Sequence, residues 1–333
     1  MSRPTTGRAA RSASPPSVSA GVSPRRCPRA WPPRPDPMAR RAIPPVAILV
    51  AAGAGWGLTV PLLRVAAGAG HPPLALLLWQ NLMMAGLAGL LLRLWRRPWP
   101  RLRGNAPALL AVSILGTVLP GYFTFLTAGE LPASARAIII AMVPIFALPI
   151  ALGLGAERFE PRRLAGLLLG LGAIGLLVLP GATRGPLPPL YVLLATVAPL
   201  SYAVESNVLS ARPADLEPLG LLFGASLLSA ALTLPLAWAA DALVAPAAFG
   251  PAEQALLAIV PINLAAYAAY VWLAARGGAV FAAQVGYVVT LAGVFWGMVL
   301  LGERPGPAIW LSLGLMMAGI ALVRPRHEGV KDA

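Results

Sequence analysis

Arg64, Arg136 and Glu205 are the charged residues that fall well inside long apolar stretches of this sequence. A charge at the centre of a bilayer costs about 2.5–3.5 kcal/mol on insertion scales, so such a residue faces a cavity, a partner or the interface. Glu205 has no second carboxylate, nucleophile–base pair or metal ligand set around it in the sequence, so covalent catalysis is not what it suits. A lone carboxyl can instead exchange a proton, because its surroundings set the balance between its neutral and charged forms. Glu205 is therefore the candidate proton carrier. Its alternative is an ion pair with Arg212, two turns further along. Arg64 and Arg136 suit an electropositive outer mouth with Glu130 as a nearby partner, or simple snorkelling to the interface.

Amide and aromatic side chains recur in the same stretches. The candidate lining of a solute cavity is Trp56, Gln80, Asn81, Tyr122, Tyr202, Asn263, Tyr267, Gln284 and Tyr287, with Pro144 where a helix would be interrupted. Asn263 and Tyr267 are four apart and Tyr270 follows at seven, so the three share a helix face; Gln284 and Tyr287, three apart, share another. Each alone would serve equally as an interhelical hydrogen bond or an interface anchor. Converging from several helices, they suit a small amphipathic solute. Pro144 and Pro261 lie nearest mid-span, and the carbonyls they free are tolerated where a helix lines a cavity or packs on protein. Cys27 is the single cysteine, and His71 and His327 are the only histidines. No disulfide framework, zinc cluster or cofactor is implied.

The elements that must hold these groups are set by composition. The chain has 333 residues, 58% hydrophobic and 11% charged, with a mean hydropathy of +0.74. Soluble domains carry about 25% charged residues, so an integral membrane protein is indicated. Ten apolar spans are predicted, at 43–66, 72–92, 106–126, 134–154, 164–180, 187–209, 217–237, 252–274, 278–301 and 307–323, each near the length that crosses a bilayer of about 30 Å. With the N-terminus inside, the inner segments hold Arg40, Arg41, Arg93, Arg96, Arg97, Arg101, Arg103, Arg158, Arg162, Arg163, Arg212, Arg276, Arg324, Arg326 and Lys331. The outer loops hold only Arg184 and Arg304. That bias orients the chain in a cytoplasmic (inner) membrane with both termini cytoplasmic. The net charge of +14 thus belongs to topology, and no nucleic acid is expected as a partner.

An internal repeat follows from two charged knots. Glu157-Arg158, with Pro161 four residues after the Glu, leads into a short Gly-containing apolar run ending at Pro180; Glu303-Arg304, with Pro307, leads into another ending at Pro325. The period is five helices. An odd number of spans inverts the second copy, an architecture used by secondary transporters. The fold class expected is an all-α integral membrane protein, ten transmembrane helices arranged as two inverted five-helix repeats, 43–180 and 187–323. Residues 324–333 form a cytoplasmic tail. Residues 1–42, rich in Pro, Ser and Arg, read as a disordered basic tail, with Met38 the expected natural start. An organellar transit peptide is the rival, but nine prolines in the first 37 residues oppose an amphipathic helix.

The motifs then acquire a likeness. Gly55-Trp56-Gly57 in helix 1, ASARAIIIAMVPIFALPIALGLGAERF at 133–159, ATVAPLSYAVESNVLSAR at 195–212 and LGERPGPAIW at 301–310 together resemble the EamA-domain branch of the drug/metabolite transporter superfamily. Trp79-Gln80-Asn81 stands where such proteins commonly have a helix 2 Arg, and Thr290 is the counterpart of Pro144. The resemblance implies a secondary transporter of an amino acid, metabolite or drug-like compound, with helices 5 and 10 at the periphery. Export is the expected direction, and uptake is the alternative. A non-transporting membrane protein, such as a lipid-modifying enzyme, is the remaining class, and the absent nucleophile–base pair speaks against it. Helix 5 also spells G-x-G-x-x-G at Gly170–Gly175, but no strand precedes it and no acidic residue follows at about 20 positions, as a dinucleotide site requires. Gly166-xxx-Gly170 and Gly53-xxx-Gly57 read instead as close-packing faces.

Overall fold

Proline opens most of the helices in this chain, as its fixed φ and missing N–H suit the first helical position. The computed structural model describes residues 44–100, 104–155, 160–178, 187–211, 217–244 and 249–323. In its first half, α1 (Pro45–Gly68) and α2 (Pro73–Leu94) are followed by α3 (Ala106–Ser113), a π turn (Ile114–Val118) and α4 (Leu119–Ala128) in one continuous run. Then come α5 (Ala133–Ile140), α6 (Val143–Gly153) and α7 (Pro161–Val178). The second half holds α8 (Pro189–Ala195), α9 (Val197–Ala211), α10 (Pro218–Ala239), α11 (Pro251–Ala283), α12 (Val285–Leu301) and α13 (Pro307–Val323). No strand occurs among the described residues. Residues 1–42, Glu157, Arg158, Arg184, Arg212 and 324–333 lie outside the described residues, and so do the calls made on them.

Seven helical runs are long and apolar enough to cross a membrane, namely 45–68, 73–94, 106–128, 133–153, 189–209, 218–239 and 251–273; 285–301 and 307–322 are shorter apolar helices. The breaks have local causes. α5 stops before Ala141, and Pro144 lies in the first turn of α6; its ring would clash with the carbonyl of Ile140 in a continuous helix. Thr196 separates α8 from α9, three residues before Pro199. One boundary departs from expectation. The gap expected between 274 and 278 is absent, because α11 continues to Ala283 and the break falls at Gln284. Two adjacent glycines cost about 1 kcal/mol each but keep the N–H ladder that proline removes.

Lipid tails are as apolar as leucine, so such helices are held by close backbone approach and by interhelical hydrogen bonds. Glycine supplies the first. A methyl at Gly57 would stand 2.6 Å from Ala292 Cβ and 2.9 Å from Gly293 N, and one at Gly53 would overlap Val288. A methyl at Gly319 would stand 2.7 Å from Gly166 O, which seats α13 on the Gly166-xxx-Gly170 face of α7. Serine supplies the second: Ser113 Oγ donates to Ala225 O at 3.1 Å, and Ser229 Oγ to Ser113 O at 3.3 Å, joining α3 to α10. The direction of packing is informative. Gly297 lies against Ala133 and Gly293 against Ala137, so α5 and α12 run antiparallel; Gly53 against Val288 and Gly57 against Ala292 make α1 and α12 parallel. Pairings also recur with the halves exchanged. α1 packs on α12 as α9 packs on α6, and α2 packs on α11 as α10 packs on α3.

Candidate solute cavity

A cavity of about 490 Å³ lies among α1, α2, the α3–α4 run, α5, α9, α10 and α11, with Ala195 of α8 and Val289 of α12 also in its lining. That volume is in the range of small-molecule sites. Trp56, Gln80, Asn81, Tyr202, Asn263 and Tyr267 line it, together with Arg136 and Glu205, the charged residues of its lining. Local structure aims these groups. Asn81 Nδ2 donates to Leu77 O at 2.8 Å, which fixes its amide on α2, and Thr59 Oγ1 donates to Trp56 O at 2.6 Å. Gln80 Oε1 is buried with no hydrogen-bond partner among the described residues, an acceptor left facing the space a solute would fill. Trp56 leans on Tyr270, with ring centroids 6.0 Å apart.

Four candidates lie elsewhere. Tyr122 stacks edge-on against Phe123 and packs with the cluster around Leu76 and Phe125, while Thr124 and Phe125 of the same helix reach the cavity. Pro144 shapes the α5–α6 break without lining the space. Gln284 is the hinge residue between α11 and α12. Tyr287 packs against the cluster built on Ile138, Met142 and Met316, and Tyr270 against Trp56, so the helix-face arguments placed neighbours together without saying which face was inward. Conversely Gly116, Thr117, Thr127 and Ser226 line the cavity. Threonine, serine and glycine are common in membrane helix contacts, so nothing in their spacing marks them.

Arg136 is 9% exposed. Its Nη1 approaches Val60 O at 3.5 Å, and the charges of Arg64 and Glu303 act on it. Arg64 does not line the cavity; its Nη1 donates to Leu131 O at the turn before α5. Glu130, expected to pair with these arginines, is exposed. Glu303 is the carboxylate whose charge reaches Arg136. Its Oε1 accepts from Ala133 N at 2.6 Å and its Oε2 from Ser134 N at 3.0 Å, satisfying donors that a helix start leaves orphaned and complementing its dipole. In the sequence Glu303 marks only the repeat. In the structure it ties the end of α12 to the start of α5, whose first turn carries Arg136.

Glu205 lies on α9, with Tyr202 one turn before it and Tyr267 of α11 within electrostatic reach. Tyr202 is also within electrostatic reach of Arg136, and all three line the cavity. Asn207 Nδ2 donates to Ala203 O at 2.9 Å and to Ala147 O at 3.4 Å, anchoring α9 to α6.

Comparison with known proteins adds three findings. Residues 44–179 and 189–324 each match the EamA-like transporter family. The chain is 27% identical over 296 residues to a protein named "Uncharacterized inner membrane transporter YedA" from Escherichia coli K12, covering 85% of this chain and 92% of that one; its counterpart in Escherichia coli O157:H7 matches equally. A solved structure titled only "Crystal structure of protein" superposes with a TM-score of 0.52 at 20% identity, over 83% of this chain and 96% of that chain, a likeness of fold.

Proposed function

This chain belongs to the EamA-like transporter family, and we propose that it works as a proton-coupled secondary transporter exporting a small organic solute through the cavity between its repeats. It is a membrane transporter, not an enzyme. The observation that carries the proposal is the cavity itself, where one carboxylate, Glu205, and one guanidinium, Arg136, share a lining of amides and aromatics. Such a set suits a solute with both polar and apolar parts. The matched relative named an inner membrane transporter, together with the arginine bias, supports a multi-pass inner-membrane location with both termini cytoplasmic.

Ten spans in two inverted repeats complete the reading. Its support is geometric: α5 and α12, the fourth helices of the two matched segments, run antiparallel, and helix pairings recur with the halves exchanged. Corresponding helices of a parallel repeat would run the same way. In this topology the Glu303 contact with α5 lies on the outer side of the membrane. Uptake by the same architecture is the alternative direction.

Labelling tests the topology. Replacing Cys27, the single cysteine, gives a background for reporters at Leu154, an exposed residue after α6, and at Gly306 before α13. An impermeant thiol reagent added outside right-side-out vesicles is expected to label the Gly306→Cys protein and to spare Leu154→Cys until the membrane is opened. Equal outside labelling of both would contradict the inverted arrangement.

A further inference from the structure

We propose that Gly116 is the positioning residue for the Glu205 carboxyl, an inference that rests on reading Glu205 as the proton carrier. Gly116 is the central residue of the π turn Ile114–Val118. A methyl on it would stand 2.3 Å from Glu205 Oε1, 2.6 Å from Cδ and 2.7 Å from Oε2, closer than any real Cβ contact. The carboxyl therefore lies against bare backbone, in a seat that only glycine leaves open.

A second observation meets the first at the same turn. Ser201, one turn before Glu205 on α9, donates its hydroxyl to Leu115 O at 2.7 Å. A π turn takes carbonyls off the regular i→i+4 ladder and recurs at functional sites, and in a membrane each such carbonyl needs a partner. Ser201 provides it and pins α9 to the turn, holding Glu205 in register with Gly116. The titratable groups facing Glu205 are Tyr202 on its own helix and Tyr267 on α11. Arg136 on α5 shares the cavity lining, and the polar side chains that the π turn and α10 add to it are the uncharged Thr117 and Ser226.

The seat lets the carboxyl lie back on the cavity wall, leaving the space clear for solute. Rotation about the side chain's own torsions carries it out into that space. Seated and solute-facing placements of Glu205 are then alternatives, and residue 116 decides whether the first exists.

Infrared difference spectra of purified protein in nanodiscs, taken between mildly acid and mildly alkaline buffer, test this without a known solute. The wild-type protein is expected to show a protonated-carboxyl C=O band that Glu205→Gln lacks. Gly116→Ala should shift that band, since the methyl meets the far end of a flexible side chain that can move aside while the helices stay in place. Ser201→Ala should shift it too, by releasing α9 from the turn, and it decides the matter if Gly116→Ala fails to fold. Dicyclohexylcarbodiimide, which takes the proton of a carboxylic acid and is then attacked at its central carbon by the carboxylate oxygen, should modify Glu205 faster in Gly116→Ala than in wild type. An unshifted band and an unchanged modification rate would overturn the seat. A Glu205→Gln protein that still couples flux to a pH gradient would remove the carrier reading alone, because the band position reports the seat either way.

Discussion

Glu205→Gln is expected to abolish solute flux driven by a pH gradient, down to the level of protein-free vesicles, while the protein folds and still binds solute. The substitution keeps the shape and most of the hydrogen-bonding capacity of the side chain but removes its exchangeable proton. Neighbours argue for tolerance of the change, because the side chain lies in a lined cavity with the tyrosines at 202 and 267 rather than in a close-packed core. Glu205→Asp should retain part of the coupling, since it keeps the proton and shortens the reach. A structural ion pair with Arg212 expects the reverse pattern: lower thermal stability in the Gln variant, with coupling intact in whatever protein survives. Gradient-driven flux and melting temperature, measured on the same preparations, separate the two outcomes.

Gly57→Ala should destabilise the protein by about 1–3 kcal/mol, the usual cost of overpacking a well-fitted contact. The added methyl would stand within 3.0 Å of backbone atoms of Ala292 and Gly293 as well as the Ala292 side chain. Backbone cannot swing aside as a side chain can, so α1 and α12 must separate. Trp56, next in sequence, lines the cavity, and its displacement should lower flux in the protein that remains folded. Gly86→Ala is the matched control. Nothing lies within 4 Å of a methyl built there, and alanine is favoured over glycine in a helix by about 1 kcal/mol. Thermal unfolding in detergent should therefore show opposite signs for the two substitutions. A Gly57→Ala protein as stable as Gly86→Ala would mean that the close approach of α1 and α12 is not what holds them.

The seven long spans could be read from the sequence because a run of apolar residues bounded by polar or charged segments has one stable place in a bilayer. The glycine faces at Gly53/Gly57 and Gly166/Gly170 could be read for a related reason, as close approach leaves few alternatives to glycine. Facing could not be read in the same way. A helix surrounded by lipid and by other helices is apolar all round, so Tyr122 and Thr124, two residues apart, gave no sign that only the threonine reaches the cavity. Gln284 and Tyr287 fall outside the cavity lining for the same reason. Glu303 shows a different limit. Its hydrogen bonds reach Ala133 and Ser134, 170 and 169 residues earlier, and no local pattern announces a partner that distant. Gly116 is the extreme case. A lone glycine in an apolar helix reads as packing, and its meaning appears only when the Glu205 carboxyl is found lying against it.

Coupled accumulation is the most direct test of the whole reading. Wild-type protein reconstituted into proteoliposomes would be given a panel of radiolabelled amino acids, nucleosides and amphipathic cations, with a pH gradient imposed across the membrane. For at least one of these solutes the internal concentration is expected to rise above the external one, to fall back when a protonophore collapses the gradient, and to do neither in the Glu205→Gln protein. Flux that only equilibrates the two sides, indifferent to the gradient and unchanged by the substitution, would contradict proton-coupled transport through this cavity.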